Sequence, residues 1–275
     1  MARLAGVAGD DLFDRSIPKK WPMMLVTMKR LLVALSCFLF TACALGAVRA
    51  KDVSYKSGDA TVHGVLYLPG GPGPHPAIVV IHEWWGLVPW VKEQARDLAA
   101  QGYVTLAVDL YRGKSTTDPK VAMGLMRGLP TERGVDDLLA AVDYLKSLKA
   151  VEANRIGAVG WCMGGGYAAR LAEADPTLKA VAINYGDLPK DTAEAAKIHA
   201  AVLGTFGGQD RVVTPEEAAA FAQTLRQAGR PVDIKFYPDA GHAFENPNNK
   251  AGYRPADTRD ADARMRAFFH KYLQE

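Results

Sequence analysis

The chain has 275 residues, 49% of them hydrophobic and 23% charged, with 26 Gly and 16 Pro. That composition excludes a collagen, a coiled coil and a disordered chain, and the length can bury a sizeable core. The formal charge of +3 comes from residues 1–50, where Arg3, Arg15, Lys19, Lys20, Lys29, Arg30 and Arg49 outnumber Asp10, Asp11 and Asp14. The remainder is near neutral, which speaks against a nucleic-acid partner or a polybasic membrane patch.

Residues 1–27 show no periodicity and precede a better start at Met28, so they read as an over-extended gene start. From Met28 the chain runs through Lys29 and Arg30 into an apolar stretch from Leu31 to Ala47, then Val48, Arg49 and Ala50. A positive start, an apolar centre and a small residue before a polar segment are the marks of a signal peptide over 28–50, cut near Ala50. Export to a bacterial periplasm is therefore expected. Two alternatives stand beside it. The stretch is short of the ~20 residues that a membrane span needs, though an uncleaved anchor is conceivable, and Phe40-Thr41-Ala42-Cys43 resembles an imperfect lipoprotein box. Without a lipid, no stable membrane partner is expected. Cys37 and Cys43 fall in the leader, so a mature chain retains Cys162 alone and has no intrachain disulfide.

Beyond the leader, short β-branched runs alternate with amphipathic ones. Strands are expected at Thr61–Leu68, Ala77–His82, Tyr103–Asp109, Ile156–Gly160, Ala180–Asn184, Ala201–Phe206 and Val232–Tyr237. Helices are expected at Val91–Gln101, Glu132–Leu148, Met163–Ala174, Pro215–Ala228, where Thr214 is the N-cap, and Ala256–Leu273. Gly70–Pro76 reads as a turn. The alternation predicts one α/β domain over 51–275, a mostly parallel central sheet with helices on both faces.

The segment Gly160-Trp161-Cys162-Met163-Gly164-Gly165-Gly166 follows an apolar strand and opens a helix. Gly160, Cys162 and Gly164 fit the small-x-nucleophile-x-small pattern of a nucleophile elbow, whose tight turn requires small neighbours. The helix N-terminus also favours a thiolate at Cys162. The competing reading is a structural Cys at a Gly-rich helix start. Such a nucleophile needs a later acid and then a His. Asp210, in Gly207-Gly208-Gln209-Asp210, and His242, in Asp239-Ala240-Gly241-His242, each follow an expected strand on the edge where open α/β sheets carry their sites. Asp187 and Asp239 are rival acids. His63, His75, His199 and His270 read as structural. No Cys-x-x-Cys or His-Glu-x-x-His spacing occurs, so neither a metal nor another cofactor is expected.

Taken together, His82-Glu83-Trp84-Trp85-Gly86, Asp109-Leu110-Tyr111-Arg112-Gly113, the Cys162 elbow, Gly208-Gln209-Asp210 and Gly241-His242-Ala243-Phe244 resemble the dienelactone hydrolase family of α/β-hydrolases over nearly all of Lys51–Glu275. The resemblance implies a Cys162-His242-Asp210 triad, a Glu83 carboxylate hydrogen-bonded to the resting thiol, an oxyanion hole from the N–H groups of Trp84 and Met163, and a substrate carboxylate held by Arg112. Independently of it, a carboxylate directly after an apolar strand is costly unless used or solvated, and Glu83 on a loop surface is the bland alternative. Arg112 could equally be a surface residue. Trp84, Trp85, Trp90 and Tyr111 either line an apolar cleft or are plain packing. Where dienelactone-specific members carry a second Arg after the His, this chain has Glu245-Asn246-Pro247. The expected activity is that of a monomeric thiol-dependent ester or lactone hydrolase acting on small molecules. The alternatives are a broad exported carboxylesterase and a non-catalytic binding module on the same scaffold.

Overall fold

The structure, a computed structural model, describes residues 47–275. The leader expected over 28–50 thus lies outside the described residues as far as 46. In chain order the elements are β1 (Arg49–Ser57), β2 (Ala60–Leu68), β3 (His75–Ile81), α1 (Pro89–Ala99), β4 (Val104–Asp109), α2 (Pro119–Arg127), α3 (Thr131–Ser147), β5 (Val151–Trp161), α4 (Met163–Ala174), β6 (Ala180–Asn184), α5 (Thr192–Ala195), β7 (Ala201–Gly207), α6 (Pro215–Gln227), β8 (Val232–Tyr237) and α7 (Pro255–Phe269), closed by a π turn at His270–Gln274.

The eight strands form one sheet in the order β1-β2-β4-β3-β5-β6-β7-β8. β1, β2 and β4 pair antiparallel, and every pair from β4-β3 to β7-β8 is parallel. Side chains on a strand alternate faces, and the core divides accordingly. Val79 and Ile81 of β3 join Leu138 and Leu145 of α3, Leu171 of α4 and Phe221 of α6. Ile78 and Val80 join Val91 and Leu98 of α1 with Met265 and Phe269 of α7. Burial on both faces is why the central strands read as continuous apolar runs. Each such side chain contributes about 1.5–3 kcal/mol of transfer free energy.

Two features position the site. The chain leaves β3 toward β4 on one side, then returns to place β5 on the other, so the carboxyl ends of β3 and β5 flank a topological switch point. The helix expected at Pro215 is fixed as read: the Thr214 hydroxyl accepts from the Glu217 N–H at 3.2 Å while Glu217 returns a bond to the Thr214 N–H at 3.0 Å.

Several elements differ from expectation. β1 was not foreseen because its buried side chains are only Val53 and Tyr55 among charged neighbours. Helices α2 and α5 were not foreseen either, and α2 buries only Ala122. β3 takes in His75 and Pro76, which the Pro/Gly pattern assigns to a turn, and β5 starts at Val151 rather than Ile156. Arg49 and Ala50, inside the expected leader, pair with Leu68 and Tyr67 in the sheet. Among the described residues no helix is long and apolar enough to cross a membrane.

Candidate active site

β5 delivers Cys162 onto a turn that only a strained backbone can make: the residue has φ +54 and ψ −119 and is the N-cap of α4. Its N–H donates to the Asn184 carbonyl at 3.0 Å and its carbonyl accepts from Gly166 at 3.2 Å. A Cβ on Gly160 would lie 2.0 Å from the Gly164 carbonyl oxygen, and one on Gly164 would lie 2.3 Å from that of Ile81. The glycines flanking Cys162 are therefore demanded by the close approach of β3, β5 and α4. Met163 is the first residue of α4, so its N–H has no partner within the helix.

The loops after β7 and β8 bring two further groups to the thiol. His242 Nε2 is 3.1 Å from Cys162 Sγ, and its Nδ1 is 2.8 Å from Asp210 Oδ2. Asp210 is buried, and its other oxygen accepts from the Val212 N–H at 2.7 Å. Burial alone would lower the His242 pKa, but the bonds to Asp210 and Cys162 and their charges outweigh it and raise it to about 10. The rival acids lie elsewhere: Asp187 pairs with Arg170 at 3.0 Å on the surface, and Asp239 is exposed. Asn249 clamps the histidine loop, donating to the carbonyls of His242 and Ala243 at 3.2 and 3.1 Å. The Tyr185 ring stands edge-on to the imidazole, centroids 5.3 Å apart.

Beneath this row lies a buried acidic layer. The turn carrying Glu83 is anchored by His82, whose Nε2 accepts from the Leu110 N–H at 3.2 Å, leaving Nδ1 to donate to the Glu83 carbonyl at 2.6 Å. Full burial lowers the His82 pKa, in keeping with a neutral ring. Glu83 differs from expectation. Instead of the resting thiol, its Oε2 bonds to Asn246 Nδ2 at 2.5 Å, while the thiol faces His242. Burial raises Glu83 to about 7 against the opposing pull of Asn246 and His242. Glu245, next in chain to Asn246, accepts from Trp161 Nε1 at 3.1 Å, and burial raises it to about 8. Among the described residues, Glu83 Oε1, Glu245 Oε1 and the Tyr185 hydroxyl are buried and make no well-formed hydrogen bond, although the Tyr185 hydroxyl lies near enough to Glu83 to help hold its pKa down.

Cys162 and His242 open onto a cleft of about 680 Å³, walled by Trp84, Trp85, Met123, Met126 and Val212 and by the loop of Asn246, Asn248 and Asn249. Trp84 and Trp85 thus lie where expected, their rings 4.7 Å apart. Two other expected contacts are corrected, Arg112 and Tyr111, and of the two alternatives for Trp90 packing holds. Arg112 turns away from the cleft: its guanidinium bonds to buried Asp137 at 2.8 Å and lines a separate hollow with Lys56 and Asp136. The physical reason is that Asp137, 1% exposed, has, among the described residues, Arg112 and, at 3.6 Å, Arg133 to neutralise it. Tyr111 is buried against His82 and donates to the Met163 sulfur at 3.1 Å, supporting the elbow from behind. Trp90 packs edge-on against Trp161 in the core. Sequence reasoning missed Tyr185, Asn246, Asn249, Met123 and Met126. Only Asn246 had left a signal, as a departure after the histidine.

Residues 62–273 match the model of the dienelactone hydrolase family. A Methylorubrum extorquens protein named as a proposed carboxymethylenebutenolidase is 30% identical over 237 residues, 81% of each chain. A structure named as a proposed dienelactone hydrolase from Klebsiella pneumoniae superposes with a TM-score of 0.75 at 27% identity, covering 82% of this chain and 100% of that one. A dienelactone hydrolase-like promiscuous phosphotriesterase from metagenomic libraries reaches 0.77 at 26% identity, covering 83% and 100%. These likenesses show the α/β-hydrolase fold.

Proposed function

The chain belongs to the dienelactone hydrolase family and is a hydrolase; from that premise we propose that it cleaves carboxylic esters or lactones through a thiol nucleophile, Cys162. The observation that carries this reading is the unbroken row Cys162 Sγ, His242 and buried Asp210, with contacts of 3.1 and 2.8 Å, of which the thiol and the imidazole line the cleft. In the proposed cycle His242 Nε2 holds the thiol proton while Sγ forms a bond to the substrate carbonyl carbon. The oxygen takes up negative charge, which the N–H groups of Met163 and Trp84 stabilise. As the tetrahedral species collapses, the C–O bond to the alcohol breaks and His242 returns the proton to the departing oxygen. Water, deprotonated by His242, then cleaves the thioester, restoring the thiol and releasing the acid. Asp210 keeps the imidazole oriented with Nδ1 protonated.

Cys162→Ala and His242→Ala test the assignment on short aryl esters and small lactones. Each is expected to lower kcat/KM by ~1,000-fold or more while leaving the melting temperature within a few degrees. A variant keeping more than about a tenth of the wild-type value, a barrier change under ~1.4 kcal/mol, would reject the triad. Export by way of the leader at 28–50 is proposed as well. The expected mature N-terminus in a periplasmic fraction lies near Lys51 by mass spectrometry, and an intact leader or a lipid on Cys43 would overturn it.

A further inference from the structure

Among the residues that line the cleft, no buried cation is free to receive an anionic substrate. The Arg112 guanidinium is committed to Asp137 in another hollow. Four residues after the histidine stands Asn246, a neutral amide already bonded to Glu83. The His242 imidazole faces Asp210 and the thiol, and Lys250 is the lysine or arginine left on the lining, with its side chain in solvent. A substrate carboxylate entering here would shed water and meet the buried Glu83 carboxyl with no fixed partner, which is costly.

What the cleft does offer is apolar and deformable. Met123 and Met126 lie one helical turn apart on α2 and both line it. Their unbranched thioethers adapt to varied shapes. Val212 lines it from the loop after Asp210, and it is 64% exposed. Val121, also on α2, is 51% exposed, and these two are the large exposed hydrophobic residues among those described. Val121 is outside the lining, so the apolar wall of the cleft consists of Met123, Met126 and Val212 with Trp84 and Trp85.

We propose that the cleft selects uncharged esters or lactones bearing an apolar group, which packs against Met123, Met126 and Val212, and that it discriminates against substrates carrying a carboxylate. The proposal rests on the catalytic cleft being the hydrolytic site, so its test separates binding from turnover. Hexananilide and the monoanilide of adipic acid have the same chain length and differ by one terminal carboxylate. Each is titrated onto the full chain carrying Cys162→Ala at pH 8, with the change in tryptophan fluorescence as readout, since Trp84 and Trp85 line the cleft. Hexananilide is expected to bind at least ~10-fold more tightly, equivalent to about 1.4 kcal/mol. Met123→Ala with Met126→Ala should weaken it ~5-fold or more, since each removes apolar contact. Met126→Lys should reverse the preference by supplying the missing cation to the adipic probe. Equal or tighter binding of the adipic probe to the unaltered wall would overturn the proposal, and its loss in Lys250→Ala would name Lys250 as the anion receptor instead. Failure of both probes to bind overturns it too. Failure of the hydrolase reading shows separately, as ester turnover by wild type that persists without Cys162.

Discussion

At the scale of single residues, the site is built on groups that the fold holds against their preference. Cys162, Tyr185 and Ala243 all have positive φ, at +54, +39 and +57, although none is Gly. All three lie beside the imidazole or carry it, and such strain persists only where the surroundings over-determine it. The buried carboxyls are held against their preference in a different sense. Burial raises Glu245 from 4.5 to about 8, so between those values the folded chain binds a proton that the unfolded chain has released. Stability contributed by that proton is therefore present at low pH and lost as pH rises through about 8. Glu83, raised to about 7, acts in the same direction. Glu245→Gln keeps an oxygen for Trp161 and removes the titration. Its melting temperature is expected to exceed that of wild type by ~2–6 °C at pH 9 and to match it at pH 4, because ~1 kcal/mol moves a chain of this size by ~2–4 °C. A gain of equal size at both pH values would show that Glu245 titrates alike in the folded and unfolded chains, its pKa not raised by folding. Arg112→Ala is a residue-scale test of the ion pair. Loss of one of two partners of buried Asp137 should cost about 1–3 kcal/mol in urea unfolding. The ratio of kcat/KM values for neutral and anionic esters should stay unchanged. A selective loss of anionic turnover would return Arg112 to the substrate.

Among the elements, the strand-to-helix turn that holds Cys162, the proposed nucleophile, is the least tolerant of substitution. Gly160→Ala would drive a methyl group into the Gly164 carbonyl, 2.0 Å away, which neither backbone can relieve without moving Cys162. A loss of about 3 kcal/mol by urea midpoint, together with near-complete loss of esterase activity, is expected. Full activity in a stable Gly160→Ala chain would mean that the turn is not as close as described. Helix α2 lies at the other extreme. It buries only Ala122 and is capped by Asp118, whose oxygen accepts from Lys120 and Val121 at 2.7 and 3.1 Å. Its stability comes from that cap and from Pro119 at its first position rather than from a deep apolar face. This explains both why periodicity did not reveal it and why its methionines are free to line the cleft.

For the whole molecule, the antiparallel edge matters more than its polar sequence suggests. Tyr55 of β1 stacks on Tyr144 of α3, centroids 5.4 Å apart, and its hydroxyl donates to the Asp137 carbonyl at 3.3 Å. Val53 and Tyr55 both belong to the core on that face of the sheet. Tyr55→Ala is expected to cost about 3 kcal/mol, and a chain beginning at Asp59 should unfold at least ~10 °C below one beginning at Ala47 by calorimetry. Equal melting temperatures would make β1 an ornament of the edge. The same strand bears on processing. A cut after Ala50 removes the rungs Arg49 with Leu68 and Ala50 with Tyr67 and leaves Val53 and Tyr55 in place.

Much of this molecule is legible locally. The parallel strands could be read because burial on both faces makes them continuous apolar runs, and the elbow because steric contact between backbones leaves only Gly at 160 and 164. Asp210 and His242 could be read because each follows a strand on the edge where such sheets place their sites. Partner choice could not be read so. Whether Glu83 bonds the thiol or Asn246, and whether Arg112 faces a substrate or Asp137, depends on groups 163 and 25 residues away in the chain. Glu245 likewise meets Trp161 across 84 residues. A charged or amide side chain takes whichever partner best offsets its desolvation, and only the folded chain sets which partners are within reach.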